Sequence, residues 1–149
     1  MESAFQKFTR IVSKWIGKSA DYDKVYWSQC TDFARQYTSD AGYPIWTFSG
    51  SAFNWWKTWS PFDKSWKRVV KTALNYPNPW DIVFFEPTPS NQYWHVAIAD
   101  KWCSANFLCI IEQNAWSGNW DWKGNNAIKR AKVPYLSTRW RCPWWFAKI

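Results

Sequence analysis

Cys30 lies in the stretch YWSQCTDFARQY, residues 26–37, where an amphipathic helix is about to begin. A thiol is useful in catalysis as a thiolate. The partial positive charge and free N–H groups of a helix start favour that form. A cysteine nucleophile also needs a base, and the chain has one histidine, His95, at the head of the strand-like HVAIA. The base in turn needs an orienting polar group. Glu112 and Asn114 are two apart in IIEQN. On a strand, a period of two puts both on one face with Ile110, and Ile111 and Gln113 on the other. Polar side chains interrupting an apolar run need partners, because burying them unpaired is costly. Singly, each residue has a plainer reading: a lone helical cysteine is commonly a small core residue, and a lone histidine a satisfied core or surface one. Together they suggest a papain-like set of Cys, His and a polar third residue.

A second constellation precedes the cysteine. DYDKVYWSQCTD carries three carboxylates, Asp21, Asp23 and Asp32, around a short loop. Calcium takes several carboxylate and carbonyl oxygens, and an Asp-x-Asp pair supplies two on one side of a turn. The spacing is not that of an EF-hand. The plainer reading is a solvated acidic loop with Asp32 in the first turn of the helix, where the dipole favours it.

These residues must be positioned by helices that come first and strands that come second. Phe5, Phe8, Val12, Trp15 and Ile16 recur at helical steps, so residues 3–16 read as an amphipathic helix. A polar loop covers 17–28. A helix runs from Cys30 to about Asp40 and stops at Gly42. The basic stretch Lys64–Leu74 reads as a further helix. YPNPWD is a turn. IVFF (82–85), HVAIA (95–99), FLCIIEQN (107–114) and AIKRAKV (127–133) read as strands, with PWWFAKI as a closing one. The predicted class is α+β, N-terminal helices packed on a C-terminal antiparallel sheet, in a single domain over 1–149.

The chain of 149 residues can build one core of ordinary size. No stretch is long and apolar enough to cross a membrane. The N-terminus lacks the apolar run of a signal peptide, so synthesis in the cytoplasm is expected. Net charge is +8, gathered at Lys64, Lys67, Arg68 and Lys71 and at Lys129, Arg130, Lys132, Arg139 and Arg141. Such a surface suits an anionic partner, nucleic acid or an acidic cell wall, or simply keeps the chain soluble. Of the four cysteines, Cys30, Cys103, Cys109 and Cys142, free thiols are expected; a Cys103–Cys109 bridge across a turn is the alternative.

QCTDFARQY, WDIVFF, WHVAIAD and IIEQN, in that order, resemble the CHAP family, cysteine- and histidine-dependent amidohydrolases/peptidases that cut peptidoglycan, many of them bacteriophage endolysins. The resemblance implies a papain-like fold, Cys30 as nucleophile, His95 as base, and Glu112 and Asn114 as the acidic and amide members of the site. The chemistry then assigns the oxyanion to the Cys30 backbone N–H and the Gln29 side chain. The acidic loop resembles the calcium loop of some of these endolysins, whose ligands match Asp21, Asp23 and Asp32 with backbone carbonyls at Val25 and Trp27. The expected substrate is peptidoglycan and the expected state a monomer acting on the wall, with no nucleic acid bound. A non-catalytic module that binds wall glycan or nucleic acid through stacked aromatics is the alternative.

Tryptophan occurs 16 times and glycine five, the reverse of ordinary usage. In the family, glycine commonly stands where this chain has Trp27, Trp80 and Trp94. PNPWD is a tight turn, where glycine is at ease and a bulky residue is not. NWDWKGNN reads like a glycine-rich turn with two bulky replacements. A UGA codon that the source cell reads as glycine accounts for the exchange. Genuine aromatic platforms are the alternative.

Overall fold

The computed structural model describes residues 1–24, 28–44, 52–58, 66–70, 75–86, 94–101, 107–113, 127–134 and 144–148. Helix α1 spans Ala4–Trp15. It starts on a capping box: Gln6 N–H donates to Ser3 Oγ at 3.2 Å, and Ser3 N–H donates to Gln6 Oε1 at 2.8 Å. Its apolar stripe buries Phe8, Ile11 and Val12, while Phe5 and Ile16 stay exposed. Helix α2 spans Cys30–Asp40 and buries Phe33, Ala34 and Tyr37. It ends as expected, with Gly42 at φ +75°. Asp40 joins the two helices, accepting from Lys14 Nζ at 2.9 Å and from Trp15 Nε1 at 2.8 Å. A short helix, α3, covers Ala52–Thr58.

Six strands follow: β1 (Trp66–Val70), β2 (Ile82–Phe85), β3 (His95–Ala99), β4 (Phe107–Glu112), β5 (Lys129–Pro134) and β6 (Trp144–Lys148). They form one sheet in the order β1-β6-β2-β3-β4-β5, antiparallel at every pairing. The strands expected over 82–85 and 95–99 are present; those expected over 107–114 and 127–133 are shorter or shifted, at Phe107–Glu112 and Lys129–Pro134, and PWWFAKI does supply a closing strand. All residues of β2 and β3 are buried, as expected of short apolar runs in the middle of a sheet.

The helix expected over Lys64–Leu74 is not formed: residues 66–70 are a strand, paired from Trp66↔Lys148 to Val70↔Trp144. The recurrence of basic residues mimicked a helical face. Adjacent β-branched Val69 and Val70 favour the extended chain. Lys67 and Arg68 are exposed, and charges on a strand at the sheet edge discourage pairing with other chains.

Two apolar clusters lie against the sheet. One gathers α1, α2 and α3 residues with Ile82, Phe84, Val96, Ile98 and Ile111. The other contains Val83, Phe85, Ala97, Ala99, Leu108, Ile110 and Trp145. The alternation 82/84 against 83/85, and 96/98 against 97/99, assigns the clusters to opposite faces. Helices on an antiparallel sheet make the predicted α+β architecture. Among the described residues, no helix is long and apolar enough to cross a membrane. Cys30 is a free thiol. Cys103 and Cys142 lie outside the described residues, and with them the alternative of a Cys103–Cys109 bridge.

Candidate active site

Cys30 is the first residue of α2, with Gln29 at the N-cap, so its N–H is among those that have no acceptor within the helix. The loop before it is folded back by Asp32, the third residue of the helix. Asp32 Oδ2 accepts from Gln29 N–H at 2.8 Å, and Oδ1 accepts from Tyr22 N–H at 3.1 Å and Asp23 N–H at 3.4 Å. A carboxylate at this point thus caps the helix and closes the loop.

A second clamp was not singled out from the sequence. Gln113, next to Glu112, is buried. Its Oε1 accepts from Ala20 N–H at 2.7 Å, and its Nε2 donates to Ala20 O at 2.7 Å and to Gln29 O at 2.8 Å. One amide side chain therefore ties the loop and the residue before Cys30 to the sheet. The signal was present in IIEQN: an amide ending an apolar run must find partners, and Gln113 is as polar an interruption as its two neighbours.

His95 begins β3, which packs against α2. The β3–β4 register pairs Ile98 with Ile111 and Ala99 with Ile110. Continued along the strands, it sets Ala97 opposite Glu112, so His95 meets Glu112 on the diagonal. The contact is Nε2 to Oε2 at 3.1 Å, with both side chains buried. Phe85, paired with His95 across β2 and β3, brings its ring to 5.9 Å from the imidazole. Burial would push the imidazole toward its neutral form. Hydrogen bonds with Cys30 and Glu112, and their charges, overcome this and raise its pKa from 6.5 to about 9. The structure thus brings Cys30, His95 and Glu112 together. Asn114 lies outside the described residues.

The acidic loop converges as its spacing suggested. One carboxylate oxygen from each of Asp21, Asp23 and Asp32 lies within 4.8 Å of the others. Asp21 Oδ1 is buried with no hydrogen-bond partner. Burial, followed by repulsion from Asp23 and Asp21, outweighs the backbone N–H donors and raises Asp32 from 3.8 to about 6. Arg35 neutralises part of the charge, reaching Asp23 Oδ2 at 3.0 Å. Val25 and Trp27 lie outside the described residues.

The chain thus carries a helix-borne thiol, a buried imidazole on an adjoining strand and a carboxylate bonded to that ring. The CHAP domain family model matches residues 20–114, and the chain belongs to that family. Its fold is similar to that of the wild-type endolysin LysIME-EF1, at 16% identity and a TM-score of 0.68, covering 97% of this chain and 64% of that one. It is similar also to Ly7917, at 16% identity and a TM-score of 0.67, covering 98% of this chain and 62% of that one. A structure of Ly7917 with the hydrolysing product of MDP aligns at 15% identity and a TM-score of 0.60. At such identities the likeness is one of fold, and the chain spans less than two thirds of the length of either protein. No curated protein matches the chain.

Two predictions follow from this geometry. Because the folded imidazole binds its proton more tightly than the unfolded one, its contribution to stability is fully present below about pH 6.5 and is lost as pH rises through about 9. As the chain has one histidine, its ring NMR signal reports this directly: the midpoint should lie near 9 and fall in both Cys30→Ala and Glu112→Gln. Gln113→Leu removes three hydrogen bonds, two of them buried and one part-buried, and orphans the backbone groups of Ala20 and Gln29. Urea denaturation should show a loss of about 2–4 kcal/mol.

Proposed function

We propose that this chain is a peptidoglycan hydrolase that cuts an amide bond of the bacterial cell wall, as an N-acetylmuramoyl-L-alanine amidase or a peptidoglycan endopeptidase, in endolysin-type lysis of a host cell. The observation that carries the reading is the buried imidazole, bonded to Glu112 and near enough to the Cys30 thiol for both to raise its pKa. Family membership and the fold shared with the endolysin LysIME-EF1 support it.

Glu112 engages Nε2, which leaves Nδ1 to take the thiol proton. The Cys30 thiolate attacks the amide carbonyl, and the C=O π pair moves onto oxygen. The Cys30 N–H, with the Gln29 side chain beside it, stabilises that oxyanion; such a donor contributes about 3–4 kcal/mol. When the tetrahedral intermediate collapses, the C–N bond breaks and the imidazolium gives its proton to the leaving amine. Water, deprotonated by the same ring, then attacks the thioester and releases the carboxylate product and the thiol. Glu112 keeps the ring in one tautomer and stabilises its cationic form. Asn114 serves as a further polar partner of the ring or of the substrate.

The acidic loop is proposed to hold calcium. The donors fit: three carboxylates converge, and a buried Asp21 oxygen has no partner. Asp21, Asp23 and Asp32 would be ligands, with the carbonyls of Val25 and Trp27. The ion would supply positive charge that relieves carboxylate repulsion and fixes the loop leading to Cys30.

Purified Cys30→Ala and His95→Ala proteins should fail to clear a suspension of bacterial walls while keeping the wild-type circular dichroism. Full clearing by Cys30→Ala ends the nucleophile assignment, and wall binding without clearing by the unaltered chain favours a binding module. For the loop, Asp32's raised pKa means that its protonated form stabilises the metal-free fold. That contribution is present below about pH 3.8 and is lost as pH rises through about 6. Millimolar calcium should therefore raise Tm at pH 7, by about 2.7 kcal/mol of added stability at a hundredfold excess over Kd, and have little effect at pH 4. An unchanged Tm at pH 7 rules the site out.

A further inference from the structure

The backbone sorts the described tryptophans into two groups. Trp15, Trp55, Trp56, Trp66, Trp144 and Trp145 belong to helices or strands. Trp55, Trp66 and Trp145 are almost wholly buried, and Trp15 donates its ring N–H to Asp40 at 2.8 Å. Their indoles are part of the packing. Trp80 and Trp94 lie just outside the strands, with φ of +81° and +64°. Among the described residues, only Lys24, Gly17 and Gly42 share that left-handed region, where a Cβ crowds the backbone.

The local structure at each position explains what the backbone requires. Asp81 N–H donates to Asn78 O at 3.0 Å, closing a turn with Pro79 second and Trp80 third. Proline second and a positive φ third define a type II turn, whose third position calls for glycine. The turn is held firmly, because Trp80 N–H donates to Ala99 O at 3.0 Å and Ala99 N–H to Asp81 O at 2.8 Å. Trp94 immediately precedes His95. Its ring tilts against Phe53 at 4.9 Å between centroids, and Phe53 is itself well exposed. An indole–phenyl pair thus sits at the residue next to an imidazole that is wholly buried.

We infer that positions 80 and 94 are glycine positions, and that the cell from which this chain comes reads their codons, UGA, as glycine. Glycine at 80 satisfies the turn without steric cost. Glycine at 94 removes the indole beside His95 and its contact with Phe53, which opens the approach to the ring. This last effect rests on the proposed hydrolase reading; the backbone assignment does not.

Three measurements test it. In the coding sequence both codons should be UGA; UGG at either overturns the inference. In the full chain, Trp80→Gly is compared with Trp80→Ala, and Trp94→Gly with Trp94→Ala. Each pair deletes the same indole and differs by one methyl group, so the comparison isolates the backbone. The glycine variant should melt higher by about 2–4 °C. At exposed Lys67 in β1 the order should reverse, because there glycine only adds entropy to the unfolded chain. Alanine equal to or above glycine at 80 and 94 overturns the assignment. Lastly, Trp94→Gly should clear walls several-fold faster than the tryptophan form, and a slower rate overturns the opened approach. If neither form clears walls, the hydrolase reading fails, while the melting comparison still decides the glycine assignment.

Discussion

An imidazole removed wholly from water keeps a proton only where other groups replace the lost solvation. Here the replacements come from two directions, a carboxylate on the adjacent strand and a thiol at a helix start. Strand β4 supports both. Glu112 grips the ring, and the next residue, Gln113, grips Ala20 and the carbonyl of Gln29. Successive residues of a strand point opposite ways, so one short segment can brace two partners at once. The spacing of the thiol and the ring is therefore set by β4 as much as by the elements that carry them.

The loop in front of the helix shows the opposite electrostatic situation. Three like charges are drawn together, one of them deeply buried, and the backbone donors around Asp32 only partly compensate. Such an arrangement is costly in isolation and sensible next to a cation. Arg35 supplies one cation from within the chain, at the more exposed Asp23. The buried oxygen of Asp21 has no hydrogen-bond donor to compensate it.

Much of this was legible in the residues. Cys30 opens a helix and His95 opens a strand, because apolar periodicity and turn residues mark those boundaries well; the strand read over 107–114 instead ends at Glu112. The misreading of 66–70 has a physical cause. Strand β1 is held by pairing with a segment nearly 80 positions downstream, and no local pattern reports so distant a partner. Gln113 was passed over because alternation put it on the face away from Glu112, where an amide looks incidental until its partners at Ala20 and Gln29 are seen. The left-handed backbone at Trp80 was foreshadowed by its proline-led turn, whereas that at Trp94 has no such local cue.

The position of β6 has consequences for how the molecule comes to be. It is the last of the described strands in sequence, yet it inserts between β1 and β2. Until it is synthesised, β2 presents an open edge, and every residue of IVFF is one that the finished sheet hides from water. A nascent chain on the ribosome thus carries a bare, wholly apolar ribbon edge for much of its elongation, the kind of surface that invites association with other chains. Its yield in a cell would then depend on how quickly β6 emerges, and on whether chaperones shield that edge in the meantime.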